Sequence, residues 1–267
     1  MLESVGLHGF RGIDDFSIDR LAPIVIVIGD NGTGKTTFLE AASLLADPST
    51  GLKRRTPIFS SYGGKGTAVV QGRMDGGRVS VTFESDGAEE WMLVDGDSLD
   101  AEHYESFRYE AVHSESGSVF VGLPERLSSA LDRRDSDFIK VRGRLAPIID
   151  GLRTIVPSIE EVSYLETFDQ KGFFARIGDK FVPLAALGAG VEAAFHLLVS
   201  IGSVPSGGLV AVDEIEIGLY HRRMPQVFQA LLRAVKTADV QLIASTHSWE
   251  AFESMTEAAE HTGDEDI

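Results

Sequence analysis

The sequence lacks cysteine, and it has no apolar run long enough to cross a membrane. Without cysteine, disulfide bonds and thiolate metal sites are excluded. A membrane-spanning helix needs about 20 consecutive apolar residues, and no stretch of the chain approaches that length. The first residues also lack the basic and then apolar layout of a signal peptide. These absences predict a cytoplasmic protein with no membrane partner.

Positive charge is scarce: 24 Lys and Arg stand against 41 Asp and Glu, which gives a formal net charge of −17. A uniformly basic nucleic-acid surface is therefore excluded, because binding phosphates needs Lys and Arg. The charge is uneven, since residues 84–115 carry eleven acids and one base, whereas residues 126–153 carry seven bases and four acids. Two interpretations of residues 126–153 stay open: a contact with DNA or an acidic partner, and a solvated helical face.

What the chain does contain is a phosphate-binding loop pattern. Residues 24–28 are five β-branched apolar residues that run into Gly-x-x-x-x-Gly-Lys-Thr, followed by apolar residues at helical spacing. A buried strand, a glycine-rich loop and a helix in this order are typical of a P-loop. The predicted phosphate-binding residues are Gly29, Asp30, Asn31, Gly32, Thr33, Gly34, Lys35, Thr36 and Thr37.

The residue types in this loop suit a phosphate and a magnesium ion. Glycines allow the tight bend in which backbone N–H groups face one concavity, and the helix that follows adds its positive dipole end. Lys35 is expected to reach the β- and γ-phosphates, and the Thr36 hydroxyl is expected to bind Mg²⁺. The pattern therefore predicts nucleotide binding.

Two further strands end in residues that suit the same chemistry. Asp213 and Glu214 follow an apolar run, Leu-Val-Ala-Val, and His247 follows a second one. We expect Asp213 to bind Mg²⁺ as a Walker B aspartate does, and Glu214 to orient or deprotonate the attacking water. The alternative for both acids is capping of the next helix. His247 is expected to bind the γ-phosphate or to position water, which makes Glu214, His247 and Lys35 the candidate catalytic residues.

Together these motifs resemble a known family. The order of P-loop, Leu-Gly-Ala-Gly at 187–190, Val-Asp-Glu and Ser-Thr-His-Ser is similar to ABC-type ATPases of the RecF/SMC/OLD group. The likeness includes the opening Gly-Phe-Arg-Gly at 9–12 and the Thr-His-Ser-Trp-Glu at 246–250. It is greatest for the small prokaryotic AAA family ATPases related to the OLD ATPase domain.

The resemblance implies an α/β fold of the P-loop NTPase type, an ABC-ATPase-like mixed sheet with an antiparallel β lobe and a helical insertion. It also implies a homodimer that holds ATP and Mg²⁺ between its subunits. Gly188 and Gly190 would belong to the signature loop that faces the partner's γ-phosphate. Arg11 would contact the nucleotide, although a surface ion pair is an equally good interpretation.

Residues at three positions differ from the family pattern. Ala189 stands where a polar residue is usual in the signature loop. In Glu-Ile-Gly-Leu-Tyr-His at 216–221, which occupies the D-loop position, Ile217 replaces an asparagine and Tyr220 replaces a histidine. Gln71 and His113 are weak candidates for the Q-loop residue.

The predicted function is Mg-dependent ATP hydrolysis that regulates a partner effector, a nuclease or similar protein, in anti-phage defence or DNA repair. DNA is a further candidate partner. Two alternatives stay open: a nucleotide-gated interaction module with little hydrolysis, and a transporter ATPase subunit.

A single domain, residues 1–267, accounts for these motifs. Residues 1–50 and 160–267 are predicted to form the nucleotide-binding core. Residues 67–95 read as the antiparallel lobe because two alternating runs flank an Asp-Gly-Gly turn. Residues from about 100 to 158 are predicted to form the helical insertion.

Overall fold

The computed structural model describes residues 1–47, 66–85, 90–95, 97–98, 118–121, 139–140, 143–166 and 171–262. The strands are β1 (Leu2–Phe10), β2 (Ile13–Ile18), β3 (Ile24–Ile28), β4 (Gly66–Met74), β5 (Gly77–Ser85), β6 (Glu90–Val94), β7 (Asp97–Ser98), β8 (Ser118–Val121), β9 (Glu161–Glu166), β10 (Lys171–Ile177), β11 (Lys180–Pro183), β12 (Leu209–Val212) and β13 (Gln241–Thr246). The α-helices are α1 (Lys35–Ala46), α2 (Leu145–Ile155), α3 (Ala189–Ser203), α4 (Met224–Ala238) and α5 (Trp249–Thr262). Short 3₁₀ helices span Leu184–Leu187 and His221–Arg223. None of the described helices is long and apolar enough to cross a membrane.

The parallel sheet has the order β3-β13-β12-β8. Every residue of β12 and β13 is buried, as expected for strands covered on both faces. Because parallel strands end at the same edge, the loops after β3, β13 and β12 lie side by side. These loops contain the P-loop, His247, and the pair Asp213 and Glu214, so the sheet brings all three predicted motifs to one edge.

We call the six-stranded sheet with the order β2-β1-β4-β5-β6-β7 the antiparallel sheet; β11-β10-β9 form a separate, three-stranded sheet whose strands also pair antiparallel. The hairpin turn of the antiparallel sheet at Asp75 and Gly76 is the one the sequence predicts. The sheet also includes β1 and β2, which the sequence places with the nucleotide-binding core. Alternation along β1 predicts a half-buried strand, but it does not say which sheet the strand joins.

A further difference concerns the predicted helical insertion. Within residues 100–158 the structure describes helix α2, but it also describes strand β8, which pairs in parallel with β12. Residues 118–121 therefore belong to the nucleotide-binding sheet and not to an insertion. A run of only four residues carries too little periodicity to distinguish a short buried strand from other apolar segments.

Two hydrophobic clusters cover the two faces of the parallel sheet. Ala211 and Ile243 pack with α1 and the antiparallel sheet, whereas Val210 and Leu242 pack with helices α2 to α5. This division follows from the two-residue period of a strand, since neighbouring side chains point to opposite faces. Helix α1 contacts both sheets and thereby connects the antiparallel sheet to the nucleotide-binding edge.

A buried glutamine joins the two sheets directly. The Gln241 side-chain amide donates to the carbonyl oxygens of Leu2 (2.9 Å) and Ala22 (3.0 Å), and its oxygen accepts from the Leu2 backbone N–H (2.9 Å). Gln241 is 1% exposed, so these three bonds satisfy polar groups that water does not reach.

Candidate nucleotide-binding site

The loop between β3 and α1 has the conformation that its glycines permit. Gly32 and Gly34 have φ of 80° and 92°, in the left-handed region that favours glycine. A Cβ on Gly34 would lie 3.2 Å from Cδ1 of Ile13, so β2 closes against the end of the loop. No side chain caps the first turn of α1, which leaves its N–H groups available to an anion.

Lys35 folds back over this loop. Its side chain is 7% exposed, and Nζ donates to the carbonyl oxygens of Gly29 and Asp30, both at 2.8 Å. An ammonium group has three donors, so the loop satisfies two of them. The charge is thus held beside uncapped N–H groups, which is the arrangement that binds a phosphate.

The two predicted magnesium ligands touch. Thr36 Oγ1 donates to Oδ2 of Asp213 at 2.8 Å, and the Ser245 hydroxyl donates to Oδ1 of Asp213 at 2.5 Å. Residues after β12 and in β13 thereby fix the carboxylate against the start of α1. Among the described residues no three His, Asp or Glu side chains form a metal cluster. The oxygens of Thr36 and Asp213 suit Mg²⁺, because this ion binds through one or two protein oxygens and completes its shell with phosphate oxygens and water.

Glu214 lies at a sharp turn after β12. Its φ is 54°, an uncommon left-handed value for a residue other than glycine, and its backbone N–H donates to the Ser245 hydroxyl at 2.9 Å. The next N–H, of Ile215, donates to the Ser245 carbonyl at 3.0 Å. The turn that follows the predicted magnesium ligand is thus anchored to β13.

A second glutamate, to which the sequence assigns no catalytic role, contacts His247. Oε1 of Glu216 lies 3.1 Å from Nδ1 of His247 and accepts the His247 backbone N–H at 3.1 Å. Oε1 of Glu214 is 3.7 Å from the same Nδ1, beyond hydrogen-bonding distance. The available sequence signal is the position of Glu216 as the first residue of the D-loop pattern, two residues after Glu214.

Two family models match the chain. One, described as "AAA domain, putative AbiEii toxin, Type IV TA system", matches residues 103–252, which is more than half of the chain. The other, described as an AAA domain, matches residues 4–140. The chain belongs to the AAA domain family. Its motifs and its fold are those of a RecF/SMC-like ABC-type ATPase.

Curated relatives of this AAA-domain protein include DNA replication and repair protein RecF. The RecF of Mesorhizobium japonicum is 31% identical over 174 residues, which cover 57% of this chain and 45% of that protein. The RecF of Gloeobacter violaceus is 44% identical over 45 residues, 17% of this chain and 12% of that protein. The chain thus spans less than half the length of the curated relatives it matches.

Solved structures support the same fold. An SMC head bound to the C-terminal winged-helix domain of ScpA superposes with a TM-score of 0.65, covering 95% of this chain and 91% of that one at 16% identity. The SMC head domain of Thermotoga maritima gives a TM-score of 0.55 with the same coverage and identity.

Arg11 of this AAA-domain protein is held by an ion pair. It occupies the β1–β2 turn with φ of 46°, and its guanidinium contacts the carboxylate of Glu40 in α1. The pair is largely buried, at 21% and 15% exposure, so it joins the antiparallel sheet to α1. The contact of Arg11 with nucleotide stays a prediction. Of the two Q-loop candidates, Gln71 lies in β4 opposite Gly6, and His113 lies outside the described residues.

The predicted signature loop packs against the loop after β12. Gly188, with φ of 108°, begins α3, and a Cβ on Gly190 would lie 3.4 Å from the carbonyl oxygen of Gly218. Gly218 in turn has φ of 83° and faces Ala193 of α3. The nearby Tyr220 is 55% exposed. The structure thus brings the two loops together, while their contact with a second copy stays a prediction.

Two arginines of the basic stretch 126–153 serve the fold. Arg144 donates to carbonyl oxygens at the ends of α3 and α4, including Ala238 at 3.2 Å. Arg153 donates to the carbonyl oxygens of Ile159 and Glu160, both at 2.9 Å. These side chains stabilise helix ends and a loop, and most of the other bases lie outside the described residues.

Proposed function

We propose that this chain hydrolyses ATP with Mg²⁺, and that two copies close around the nucleotide to regulate a partner effector. The observation that carries the proposal is the contact of Thr36 with Asp213, since it joins the P-loop helix to the end of β12 at the two residues that are proposed to bind Mg²⁺. The family supports ATP as the nucleotide, and the likeness to RecF, a DNA replication and repair protein by name, supports a role in DNA repair. A role in anti-phage defence stays a prediction from the sequence resemblance.

Each group in the site has a distinct task. The N–H groups at the start of α1 and the ammonium of Lys35 bind the phosphates, and Thr36 and Asp213 hold Mg²⁺, which neutralises charge that develops on the phosphates. Glu214 accepts a hydrogen bond from the attacking water, and His247 contacts the γ-phosphate. All of these residues lie at one edge of the parallel sheet, at a start of a helix or an end of a strand.

The dimer is proposed from the start of α3. Gly188 presents a 15-residue helix without a side-chain cap, so its first N–H groups are available to a phosphate held by a second copy. Since ATP would then contact both copies, its hydrolysis would shift the balance between closed and open dimers.

Turnover and association test this function separately. Lys35→Ala should lower ATP turnover at least about 100-fold, because it removes the charge that binds the β- and γ-phosphates. Lys180→Ala, an exposed lysine of β11, is the matched control and should keep wild-type turnover. Glu214→Gln should slow hydrolysis and therefore accumulate as an ATP-bound dimer, which light scattering would detect. Wild-type turnover in Lys35→Ala would contradict the proposal of ATP hydrolysis at this site. A Glu214→Gln protein that stays monomeric with ATP would contradict the proposed dimer.

A nucleotide-gated interaction module is the second candidate, and the residues at the signature and D-loop positions favour it. Ala189 and Ile217 replace polar residues of the family pattern, so catalytic contacts across a dimer would be fewer. The module predicts ATP-dependent dimerisation without any turnover that depends on Lys35. The family match to RecF/SMC-type ATPases gives a transporter ATPase subunit no support.

DNA binding is proposed on the relation to RecF, a DNA replication and repair protein by name. If residues 126–153 contact DNA, binding should weaken steeply with salt, because phosphate contacts release counterions. Neutralising Arg133, Arg134 and Arg142 together should then lower DNA affinity and reduce the slope of that salt dependence. Unchanged binding by the triple variant would remove this interface.

A further inference from the structure

Glu216 is a buried carboxylate whose position is not accounted for by the proposed hydrolysis. Its side chain is 8% exposed, and one oxygen faces both the backbone N–H and Nδ1 of His247. The other oxygen, Oε2, is buried without a hydrogen-bond partner among the described residues. Burying a carboxylate costs free energy unless it is paired, so a buried acid in contact with a histidine calls for a role.

Two backbone turns after β12 place this carboxylate close to the end of β13. After the left-handed turn at Glu214, the Ile217 N–H donates to the Glu214 carbonyl and the Leu219 N–H donates to the Glu216 carbonyl, both at 3.0 Å. These turns bring the Glu216 side chain to the residue that follows β13, which is His247. Glu214, two residues earlier, stays 3.7 Å from the ring and makes no hydrogen bond to it.

We infer that Glu216 is a positioning residue that fixes the ring orientation and tautomer of His247. In a neutral imidazole one nitrogen carries the proton, and the hydrogen bond made there decides which one. We place the proton on Nδ1, which lies 3.1 Å from Oε1 of Glu216, and this leaves Nε2 as the accepting nitrogen. The inference rests on the proposed function for the claim that His247 acts on the γ-phosphate. It assigns separate tasks to the two glutamates, Glu214 for water and Glu216 for the histidine.

The tautomer can be measured in the nucleotide-free full chain. Protein labelled with ¹⁵N in the histidine rings gives separate Nδ1 and Nε2 signals, and their loss in His247→Asn assigns those of His247. The wild type should show the proton on Nδ1. Glu216→Ala should move it toward Nε2, whereas Glu216→Gln, which keeps an accepting oxygen, should retain Nδ1–H. Glu214→Gln is the matched control and should leave the tautomer unchanged.

Two results in that experiment overturn the inference: a wild-type ring protonated on Nε2, or a tautomer that responds to Glu214→Gln and not to Glu216→Ala. Thermal unfolding identifies any variant that fails to fold. Should Glu216→Ala not fold, Glu216→Asp provides the comparison, because its shorter side chain also cannot reach Nδ1.

Kinetics then show whether Glu216 acts through His247. Glu216→Ala should lower turnover about 10- to 100-fold, as loss of an outer-shell partner does, with the KM for ATP changed less than about twofold. When His247→Ala is already present, adding Glu216→Ala should not lower turnover any further. Independent losses that multiply overturn the inference. A wild-type protein without Lys35-dependent turnover removes the proposed function and leaves the tautomer result standing.

Discussion

The parallel and antiparallel sheets differ in what their strands expose. Strands β12 and β13 are buried along their whole length, whereas β1 alternates and β2 has no fully buried residue. Polar side chains of these parallel strands can therefore reach a ligand only where the strands end, and Asp213 and His247 lie just after those ends. The antiparallel strands instead bury one face of their sheet, and the apolar side chains of that face pack on α1. The comparison teaches that one sheet positions the proposed reacting groups, whereas the other packs against the helix that carries Lys35 and Thr36.

Substitution of Asp213 should separate turnover from stability at the parallel sheet. Asp213→Asn keeps the shape of the side chain but removes the charge that is proposed to bind Mg²⁺, so turnover should fall about 100-fold or more. Thermal unfolding should change little, because the amide can still bond to Ser245. Asp179→Asn, in the exposed β10–β11 turn, is the control. Wild-type turnover and magnesium dependence in Asp213→Asn would place the metal elsewhere.

Substitution of Gln241 should remove the hydrogen bonds between the sheets and lower the stability of the fold. Gln241→Leu leaves the Leu2 N–H and two carbonyl oxygens without the partner they have in the fold. Unsatisfied buried groups are costly, and the free energy of unfolding should fall by about 2–3 kcal/mol. Gln71→Leu, an exposed glutamine of β4, should change it by less than about 0.5 kcal/mol. Equal effects in urea unfolding would show that these hydrogen bonds contribute nothing.

The fit of the antiparallel sheet against α1 can be tested at one glycine. A Cβ on Gly72 would meet the Ser4 carbonyl oxygen and lie 2.9 Å from Cδ1 of Leu45, so Gly72→Ala must displace backbone or helix. We expect a loss of about 2 kcal/mol in unfolding free energy, as overpacking causes. Gly77→Ala, whose Cβ would lie 3.5 Å from the Met74 carbonyl oxygen, is the matched control and should cost less than about 0.5 kcal/mol. A Gly72→Ala protein as stable as its control would mean that the sheet and α1 adjust freely.

Local signals in the sequence account for the parts of the fold that depend on neighbouring residues. The P-loop strand and helix, the β4–β5 hairpin and the strand before Asp213 all follow from short-range periodicity and turn residues. The ABC-type fold that the motifs predict is confirmed. The roles assigned to the site residues stay predictions.

The rest could not be predicted because it depends on pairing between distant segments. Alternation marks β1 as a strand, but its partner β4 lies more than 50 residues away. Glu216 and Gln241 show the same limit. Each is one polar residue in an apolar surrounding, and its importance comes from a contact that spacing along the chain does not encode.

The smallest expected effect concerns the helical side of the parallel sheet. His196 of α3 is 7% exposed, and burial lowers its pKa from 6.5 to about 4. Between those values the unfolded chain binds a proton that the folded chain excludes, so stability is retained above pH 6.5 and falls as the pH drops toward 4. From pH 7 to pH 5 the wild type should lose about 1–2 kcal/mol more than His196→Leu in urea unfolding. His8→Leu, an exposed position of β1, should lose as much as the wild type. If the stability of His196→Leu falls with pH as steeply as that of the wild type, the buried ring does not contribute to the loss of stability in acid.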